Sequence, residues 1–176
     1  AKWPALHTCY NFTTGEGPTR IHRIFDFWWM NIRNAQAVRN RLKVAKVQLR
    51  VAIRNLLVSQ STVRILSLAA GTAQGVIEVA SEFKKQGVDI RIMLVDIDAS
   101  ALLHARELAR MHDIDISTNE GNVLKFTQYI GTFEADIVEM MGLVDYLRDS
   151  LAIALMKKIH RYLKPGGYFF TCHIHD

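Results

Sequence analysis

One stretch of the chain decides its fold: Ile65-Leu-Ser-Leu-Ala-Ala-Gly-Thr-Ala-Gln-Gly75. It starts as an apolar strand, passes through small residues and continues into a helix predicted to end at Gly87, a suitable left-handed cap. Small side chains let the backbone approach a ligand, and amides at a helix N-terminus can bind polar or anionic groups. The stretch therefore predicts a strand-turn-helix unit that binds a nucleotide-like cofactor.

The spacing of the glycines separates this turn from the dinucleotide fingerprint. Three residues stand between Gly71 and Gly75, whereas the fingerprint requires G-x-x-G. Glycine patterns specify function loosely, so a tight strand-helix contact without any ligand is a second interpretation of the same turn.

The rest of the chain beyond Val63 alternates short apolar runs with amphipathic stretches, which is typical of strand-helix-strand units around a parallel sheet. The predicted strands are 64–69, 91–96, 115–118, 135–140 and 168–173. The predicted helices are 75–85, a second that begins after Asp98 or Ser100 and continues to about His112, and 149–163. The pattern predicts an α/β fold, a doubly wound, mostly parallel sheet of about five strands in residues 61–176.

Residues 1–60 have a different character and are predicted to form a flap and a helical extension that serves as a lid on the same compact domain. Turn-forming residues at 10–19 indicate an irregular segment. Helical periodicity follows from Arg20 to Trp28 and again from Ala35 to Leu56. We expect Phe25, Trp28 and Trp29 to pack this extension onto the sheet or to close the cofactor pocket.

The composition bounds the class of protein. With 176 residues, 49% hydrophobic, the chain fits one globular domain. No apolar run approaches the ~20 residues of a membrane span. Its two cysteines are no disulfide framework, and no secretory leader is recognisable at the start, so we expect a cytoplasmic protein. We expect no bound metal, because no full set of metal ligands is evident.

The net charge of +5 is unevenly distributed. Residues 1–77 carry 11 Lys and Arg against two acids, a net charge of +9. The basic helix Arg33 to Arg54 could bind RNA phosphates or an acidic membrane surface. The alternative is a solvated helix face, because charge patterning alone discriminates poorly.

Two polar residues follow predicted strands at the edge where the turn lies. Asp96 ends the second strand, 25 residues beyond Gly71, and an acid near this place accepts hydrogen bonds from ribose hydroxyls in nucleotide-binding sheets. Asn122, after the third strand, could bind an adenine edge with Val123 against the ring. In isolation, Gly121-Asn-Val123 is also an ordinary turn.

These segments occur in a fixed order that resembles the motif series of class I methyltransferases dependent on S-adenosylmethionine (SAM), which have a Rossmann-like fold. The resemblance covers about residues 63–176. The segments that carry it are Leu66 to Gly75, Asp96, Gly121-Asn122, Phe133-Glu-Ala-Asp-Ile-Val138 and Leu163-Lys-Pro-Gly-Gly167.

The resemblance implies SAM as cofactor, with S-adenosylhomocysteine as product. It implies that the turn holds the methionine part, Asp96 the ribose and Asn122 the adenine amino group. The implied cofactor-binding residues are Ser67, Ala69, Ala70, Gly71, Thr72, Gly75, Asp96, Ile97, Asn122, Val123, Glu139 and Met140.

Three departures from the family pattern stand out. In the first motif, Ser67 occupies the place of the usual acid, and Ala69 and Ala73 replace glycines. Without that acid, the hold on the SAM amino group could be weaker. After the third strand, Asn122 replaces the usual Asp, a milder change because its carbonyl still accepts a hydrogen bond. Class I enzymes usually continue through two more strands, whereas this chain stops at Asp176, so we expect either a fragment or an exposed edge strand.

The motifs leave the methyl acceptor open. Glu139 and Tyr10 are the candidate catalytic residues, because Glu139 could orient an amine or take a proton. Thr171-Cys172 resembles the nucleophile region of RNA cytosine-C5 methyltransferases, but Val138-Glu-Met-Met141 stands where those enzymes carry Pro-Cys. His173 and His175 alternate with Cys172 without a full zinc ligand set.

The leading hypothesis is a methyltransferase acting on a small-molecule or lipid-like acceptor. An RNA methyltransferase that uses the basic helix and a binding module that kept the fold without activity are the alternatives.

Overall fold

The computed structural model describes residues 3–12 and 19–172. The chain forms two compact units, Ala1–Val44 and Ala45–Asp176. Helix α3 (Arg33–Leu56) contributes to both. The division predicted from the sequence, at residue 60, stays a prediction.

The first unit contains α1 (Trp3–Tyr10), α2 (Arg20–Asn31) and the start of α3. The Thr19 hydroxyl caps α2 by accepting from the His22 amide at 3.3 Å, as short polar side chains do at helix starts. Most of the predicted irregular segment 10–19 lies outside the described residues.

The apolar side of α2 is exposed. Trp28 and Trp29 are 61% and 57% exposed, and that they pack onto the sheet or close the cofactor pocket stays a prediction. Met30, Ala35 and Val38 of the same unit are buried. The Phe25 side chain lies outside the description.

The second unit is built on a sheet that, among the described residues, has five parallel strands in the order β3-β2-β1-β4-β5. The strands are β1 (Thr62–Leu68), β2 (Asp89–Asp96), β3 (Ile116–Glu120), β4 (Ala135–Met141) and β5 (Leu163–Cys172). This confirms the predicted doubly wound, Rossmann-like α/β fold.

Helices connect the strands as the periodicity predicts. They are α4 (Gln74–Lys84), α5 (Ala99–Met111) and α6 (Asp149–Tyr162), with short 3-10 helices at Val123–Gln128 and Val144–Tyr146. Gly87 is left-handed after α4 (φ 81°), and the Asp98 carboxylate caps α5 by accepting from the amides of Ser100 and Ala101. Both predicted caps are confirmed.

The two faces of the sheet bury separate apolar clusters. The first joins Ile65 and Ile137 to α3, α4 and α5. The second joins Leu66 and Val138 to α6 and the 3-10 helix after β3. Because side chains alternate along a strand, the neighbours Ile65 and Leu66 lie on opposite faces of the sheet.

A buried ion pair fixes the start of β4. The Asp136 side chain is 2% exposed, accepts from the Arg64 amide at 2.7 Å and pairs with Lys164 Nζ at 3.0 Å. Gly167 passes so close that a Cβ there would lie 2.7 Å from the Asp136 carbonyl oxygen. The Lys-Pro-Gly-Gly turn thereby locks β5 against β4.

Part of the basic helix is used inside the second unit. Lys46 pairs with Glu78 at 2.5 Å and Arg50 with Glu82 at 2.7 Å, so these two cations of α3 face α4. The hydrogen bond between Arg50 and Glu82 lowers the pKa of the glutamate and raises the pKa of the arginine.

Candidate functional site

The strand order reverses between β1 and β4, the point at which an open α/β sheet forms a crevice. From β1 the chain proceeds to β2 and β3 on one side, then crosses to β4 and β5 on the other. In open α/β sheets, ligands bind outside the carboxyl ends of the strands at this point of reversal. The turn after β1 lies at this place.

The turn contains three left-handed residues within five positions. Ala69, Gly71 and Ala73 have φ values of 52°, 53° and 48°. Glycine adopts this conformation without cost, whereas an alanine is strained by roughly 1 kcal/mol. A Cβ added at Gly71 would meet nothing within 4 Å, so the turn borders open space.

Asp96 connects the turn to the neighbouring strand. Asp96 is only 9% exposed. Its carboxylate accepts hydrogen bonds from the Gly71 amide at 2.7 Å and from the Asp98 amide at 2.9 Å. The next residue, Ile97, is 72% exposed. A buried carboxylate thus lies directly beside an exposed apolar side chain at the end of β2.

The end of β3 joins the same edge. The Gly121 amide donates to the Asp96 carbonyl at 2.8 Å, which holds the following loop next to β2. The Asn122 side chain is exposed, and its Oδ1 accepts from the Leu124 amide at 2.9 Å. Val123 is buried, so Asn122 is the residue of this turn that faces solvent.

Glu139 lies on the opposite side of β1 from Asp96. It is half-buried near the end of β4, and its Oε2 accepts from the Ser67 hydroxyl at 2.7 Å. Ser67 is itself fully buried. Two acids, Asp96 and Glu139, therefore flank the strand that leads into the turn.

Other predicted residues take different positions. The side chains of Met140 and Thr72 are buried, and Met140 belongs to the second apolar cluster. Ala70 packs against the first cluster, and Gly75 lies in the first turn of α4. Tyr10 ends α1 and belongs to the first unit.

The end of β5 carries the predicted alternatives. The Cys172 carbonyl accepts from the Gly142 amide at 3.0 Å, and Cys172 pairs with Met141 in the sheet. His173 and His175 lie outside the described residues. Within residues 3–12 and 19–172, no group of three or more His, Cys, Asp or Glu is arranged to hold a metal ion.

A sequence model of a known family matches this region. Its description is "Methyltransferase domain", and it covers residues 65–167, more than half of the 176 residues. The chain belongs to the methyltransferase-domain family. The matched range extends from the glycine turn to the Lys-Pro-Gly-Gly turn, which confirms the resemblance inferred from the motifs.

Solved structures share the methyltransferase fold. A SAM-dependent methyltransferase from Geobacter sulfurreducens, in complex with S-adenosylhomocysteine, is 16% identical with a TM-score of 0.54, over 72% of this chain and 46% of that one. A SAM-dependent methyltransferase from Thiobacillus denitrificans, also in complex with S-adenosylhomocysteine, is 17% identical with a TM-score of 0.54, over 72% of this chain and 46% of that one. A protein from Pyrococcus horikoshii is 19% identical with a TM-score of 0.56, over 88% of this chain and 66% of that one.

The extent of these matches limits what they establish. The chain spans about half the length of the first two structures, and at these identities the likeness shows the fold. No curated protein matches the sequence significantly. In the part of the chain that the structure describes, no helix is both long and apolar enough to cross a membrane.

Sequence reasoning missed two contacts at the methyltransferase crevice. One is the bond between Ser67 and Glu139. The other is the hydrogen bond that Gln74, the first residue of α4 after the turn, donates from Nε2 to Glu78 at 2.8 Å. Glu78 also pairs with Lys46. The Gln74 and Glu78 spacing of four residues is typical of a helix and could have revealed the second contact. The first needed the pairing register of β1 and β4.

Proposed function

We propose that the chain binds SAM at the crevice after β1 and belongs to an enzyme that transfers its methyl group to a small-molecule or lipid-like acceptor. The family supports methyl transfer as the reaction. The two bacterial structures solved with S-adenosylhomocysteine support SAM as the donor.

The observation that carries this proposal is the position of Asp96. A carboxylate has four lone-pair sites, and two of those on Asp96 are used by the Gly71 and Asp98 amides. These bonds hold the side chain at the edge of the sheet with acceptor capacity left for a ligand. A ribose diol presents two donors of the matching kind.

The residues around Asp96 fit the remaining parts of SAM. The exposed Ile97 offers an apolar surface for the adenine ring, and the exposed Asn122 is placed in the next turn for a ring edge. The open space beside Gly71 leaves room for the amino-acid tail. Backbone amides at the start of α4 suit the tail's carboxylate.

SAM, when bound, supplies an electrophilic methyl group, and transfer is an in-line displacement. The protein therefore contributes chiefly position and electrostatic environment. The turn and Asp96 fix one end of the donor, and Tyr10 is the proposed residue from the N-terminal helices on the acceptor side. We also propose that residues 1–60 act as the lid of this enzyme.

The RNA alternative loses part of its support. Lys46 and Arg50 are engaged with glutamates of α4, so those two cations already neutralise acids of the same unit. Phosphate binding depends on cations that the protein leaves for the nucleic acid. Arg33 and the other cations of the first unit remain as the surface this alternative would need.

Calorimetric titration with S-adenosylhomocysteine tests the proposal. We expect the native chain to bind, and Asp96→Asn to bind about tenfold to a hundredfold more weakly, because hydrogen bonds to a charged acceptor contribute ~1.5–3 kcal/mol. Asp89→Asn is the matched control, since Asp89 begins the same strand and is half exposed. Its affinity should equal that of the native chain.

A folded native chain that binds neither SAM nor its product would overturn the proposal. Binding without methyl transfer to any of a panel of small-molecule, lipid and RNA acceptors would favour the non-catalytic binding module instead.

A further inference from the structure

The exposed apolar side chains of α2 form a continuous row. Ile21, Ile24 and Trp28 follow one another at spacings of three and four residues, which places them on one side of the helix. Trp29 lies next to them, and all four residues are more than half exposed. We call these four residues the apolar stripe. Folded proteins usually expose large apolar side chains singly, so a contiguous row marks an interaction surface.

The opposite side of α2 is covered within its own unit. Met30 lies two residues beyond Trp28, and two residues turn an α-helix by about 200°, so its side chain points away from the apolar stripe. Met30 is buried, and its carbonyl oxygen accepts a hydrogen bond from Arg39 Nη2 at 2.5 Å. Both residues belong to the unit Ala1–Val44. This unit therefore buries one side of α2, while the apolar stripe on the other side is exposed.

The net charge of the chain is concentrated in the same unit. Residues 1–44 contain seven Lys and Arg against two acids, a net charge of +5. Residues 45–176 contain fifteen of each kind and are neutral. The side chains of Arg20 and Arg23 on α2, and of Arg33 at the start of α3, are exposed. The apolar stripe thus belongs to the part of the chain that carries the whole excess of positive charge.

These two properties together fit an anionic lipid surface. An amphipathic helix with aromatic and aliphatic residues on one side, accompanied by cations, lies in the plane of a membrane interface. With twelve residues, α2 is too short to span a bilayer, which requires about 20. Tryptophan suits the interface because its ring is apolar and its N–H group is polar.

Other occupants match the surface less well. A second copy of the chain would bring another net charge of +5 against the first, and like charges repel. RNA would pair with the cations and its bases could stack on Trp28, but Ile21 and Ile24 gain from an apolar phase. A bilayer with acidic headgroups supplies the apolar phase and the negative charge together.

We propose that α2 docks on the surface of a bilayer that contains anionic phospholipids. The apolar stripe enters the headgroup layer, and the cations of the unit Ala1–Val44 attract the lipid phosphates. This proposal does not depend on the proposed methyl transfer. It gives Trp28 and Trp29 a role other than packing onto the sheet, and the two roles lead to opposite results when these side chains are changed.

Flotation of the whole chain with lipid vesicles tests the proposal. We expect binding to vesicles of phosphatidylcholine mixed with phosphatidylglycerol, and at least about tenfold weaker binding to phosphatidylcholine alone, because each cation near an anionic surface contributes about fivefold in affinity. Added salt should weaken the binding to the anionic vesicles, since it screens exposed charges.

A first pair of variants tests the apolar stripe. Ile24→Ser with Trp28→Ser should bind the anionic vesicles at least about tenfold more weakly, because two large side chains no longer enter the interface. Leu103→Ser with Met111→Ser is the matched control, since these are two exposed apolar residues of α5 in the neutral unit. The control should bind as the native chain does.

A second pair of variants tests the charge. Arg20→Gln with Arg23→Gln should weaken binding to the anionic vesicles by about tenfold to thirtyfold, at fivefold for each cation. Lys85→Gln with Arg110→Gln removes two exposed cations of the neutral unit instead, and should leave the binding unchanged. Circular dichroism on each variant shows that it is folded.

The outcomes decide between a membrane and the other occupants. A folded native chain that floats with neither kind of vesicle, or equally with both, overturns the proposal. So does native-like binding by Ile24→Ser with Trp28→Ser, which would leave the cations alone as the binding surface, as RNA would use them. A larger loss of unfolding free energy in this variant than in the Leu103 control would show that the stripe packs inside the protein, and would also overturn the proposal.

Discussion

Two acids three residues apart on β4 have different surroundings. Asp136, at the start of the strand, is almost fully buried between the Arg64 amide and the Lys164 ammonium. Glu139, near the end, is half-buried and bonded to the neutral hydroxyl of Ser67. The comparison teaches that the start of the strand uses its acid to hold the fold, while the acid at the end lies beside Ser67, close to the turn that follows β1.

The largest expected effect comes from removing the acid at the start. Asp136→Ala leaves the Arg64 amide and the Lys164 ammonium without their partner, and loss of one member of a buried pair costs about 3 kcal/mol. We expect the free energy of unfolding, measured by urea denaturation with far-ultraviolet circular dichroism, to fall by about that amount.

Asp89→Ala provides the control for this loss. Asp89 begins the adjacent strand β2, accepts from Thr62 at 2.9 Å and is 51% exposed, so its removal should cost less than about 1 kcal/mol. Equal losses for the two variants would contradict a special structural role for Asp136. A loss of ligand affinity in folded Asp136→Ala protein would break the comparison between the strand ends.

The second prediction concerns the strained turn at the crevice. Ala69→Gly and Ala73→Gly should each raise the free energy of unfolding by up to about 1 kcal/mol, because glycine relieves the left-handed strain that alanine carries. Ala70→Gly in the same turn is the control. Its φ is not positive, so it should lose stability, by roughly 0.5–1 kcal/mol.

Denaturant midpoints for the three turn variants decide this point. If Ala69→Gly and Ala73→Gly also bind S-adenosylhomocysteine more weakly, the left-handed conformations help to shape the binding site. The end of the sheet that carries the turn would then differ from the start of β4, where the acid serves stability. If Ala69→Gly and Ala73→Gly both lowered the free energy of unfolding, the idea that these two alanines are strained would be refuted.

The smallest effect is expected at an ion pair remote from both strand ends. Arg50 and Glu82 are 27% and 44% exposed, and exposed pairs contribute only about 0–1 kcal/mol. The pKa of Glu82 is lowered in the folded chain, so its contribution is complete above the ordinary glutamate pKa of 4.5 and disappears as the pH falls through the lowered value.

Arg50→Met should remove this acid sensitivity. The difference in unfolding free energy between native and variant is expected to be a few tenths of a kcal/mol at neutral pH and to shrink on acidification below pH ~4.5. A difference that grew on acidification would have the wrong sign for a lowered carboxyl pKa.

Much of the fold follows from local patterns in the sequence. Apolar runs placed β4 at 135–140 where the structure has Ala135–Met141, and caps placed Asp98 and Gly87 correctly. These signals act over a few residues, so a single sequence contains them. The last strand was predicted from Tyr168, whereas β5 begins at Leu163, because its first residues pair with β4 through an irregular register.

The site was predictable only in part, for a physical reason. Asp96 and Gly71 each have a local signature, and the structure brings them into contact. Ser67 and Glu139 are 72 residues apart, and their contact depends on the register between β1 and β4. No local pattern contains that register, so the sequence showed a missing acid where the structure places a neighbouring one.

The exposed face of α2 has a practical consequence for experiments. All three tryptophans, Trp3, Trp28 and Trp29, belong to the unit Ala1–Val44, and the sheet unit contains none. Tryptophan emission therefore originates entirely in the N-terminal helices, with two indoles already largely in water. Tryptophan fluorescence will therefore report from that unit, and melting of the sheet can be followed separately through tyrosine absorbance or amide exchange.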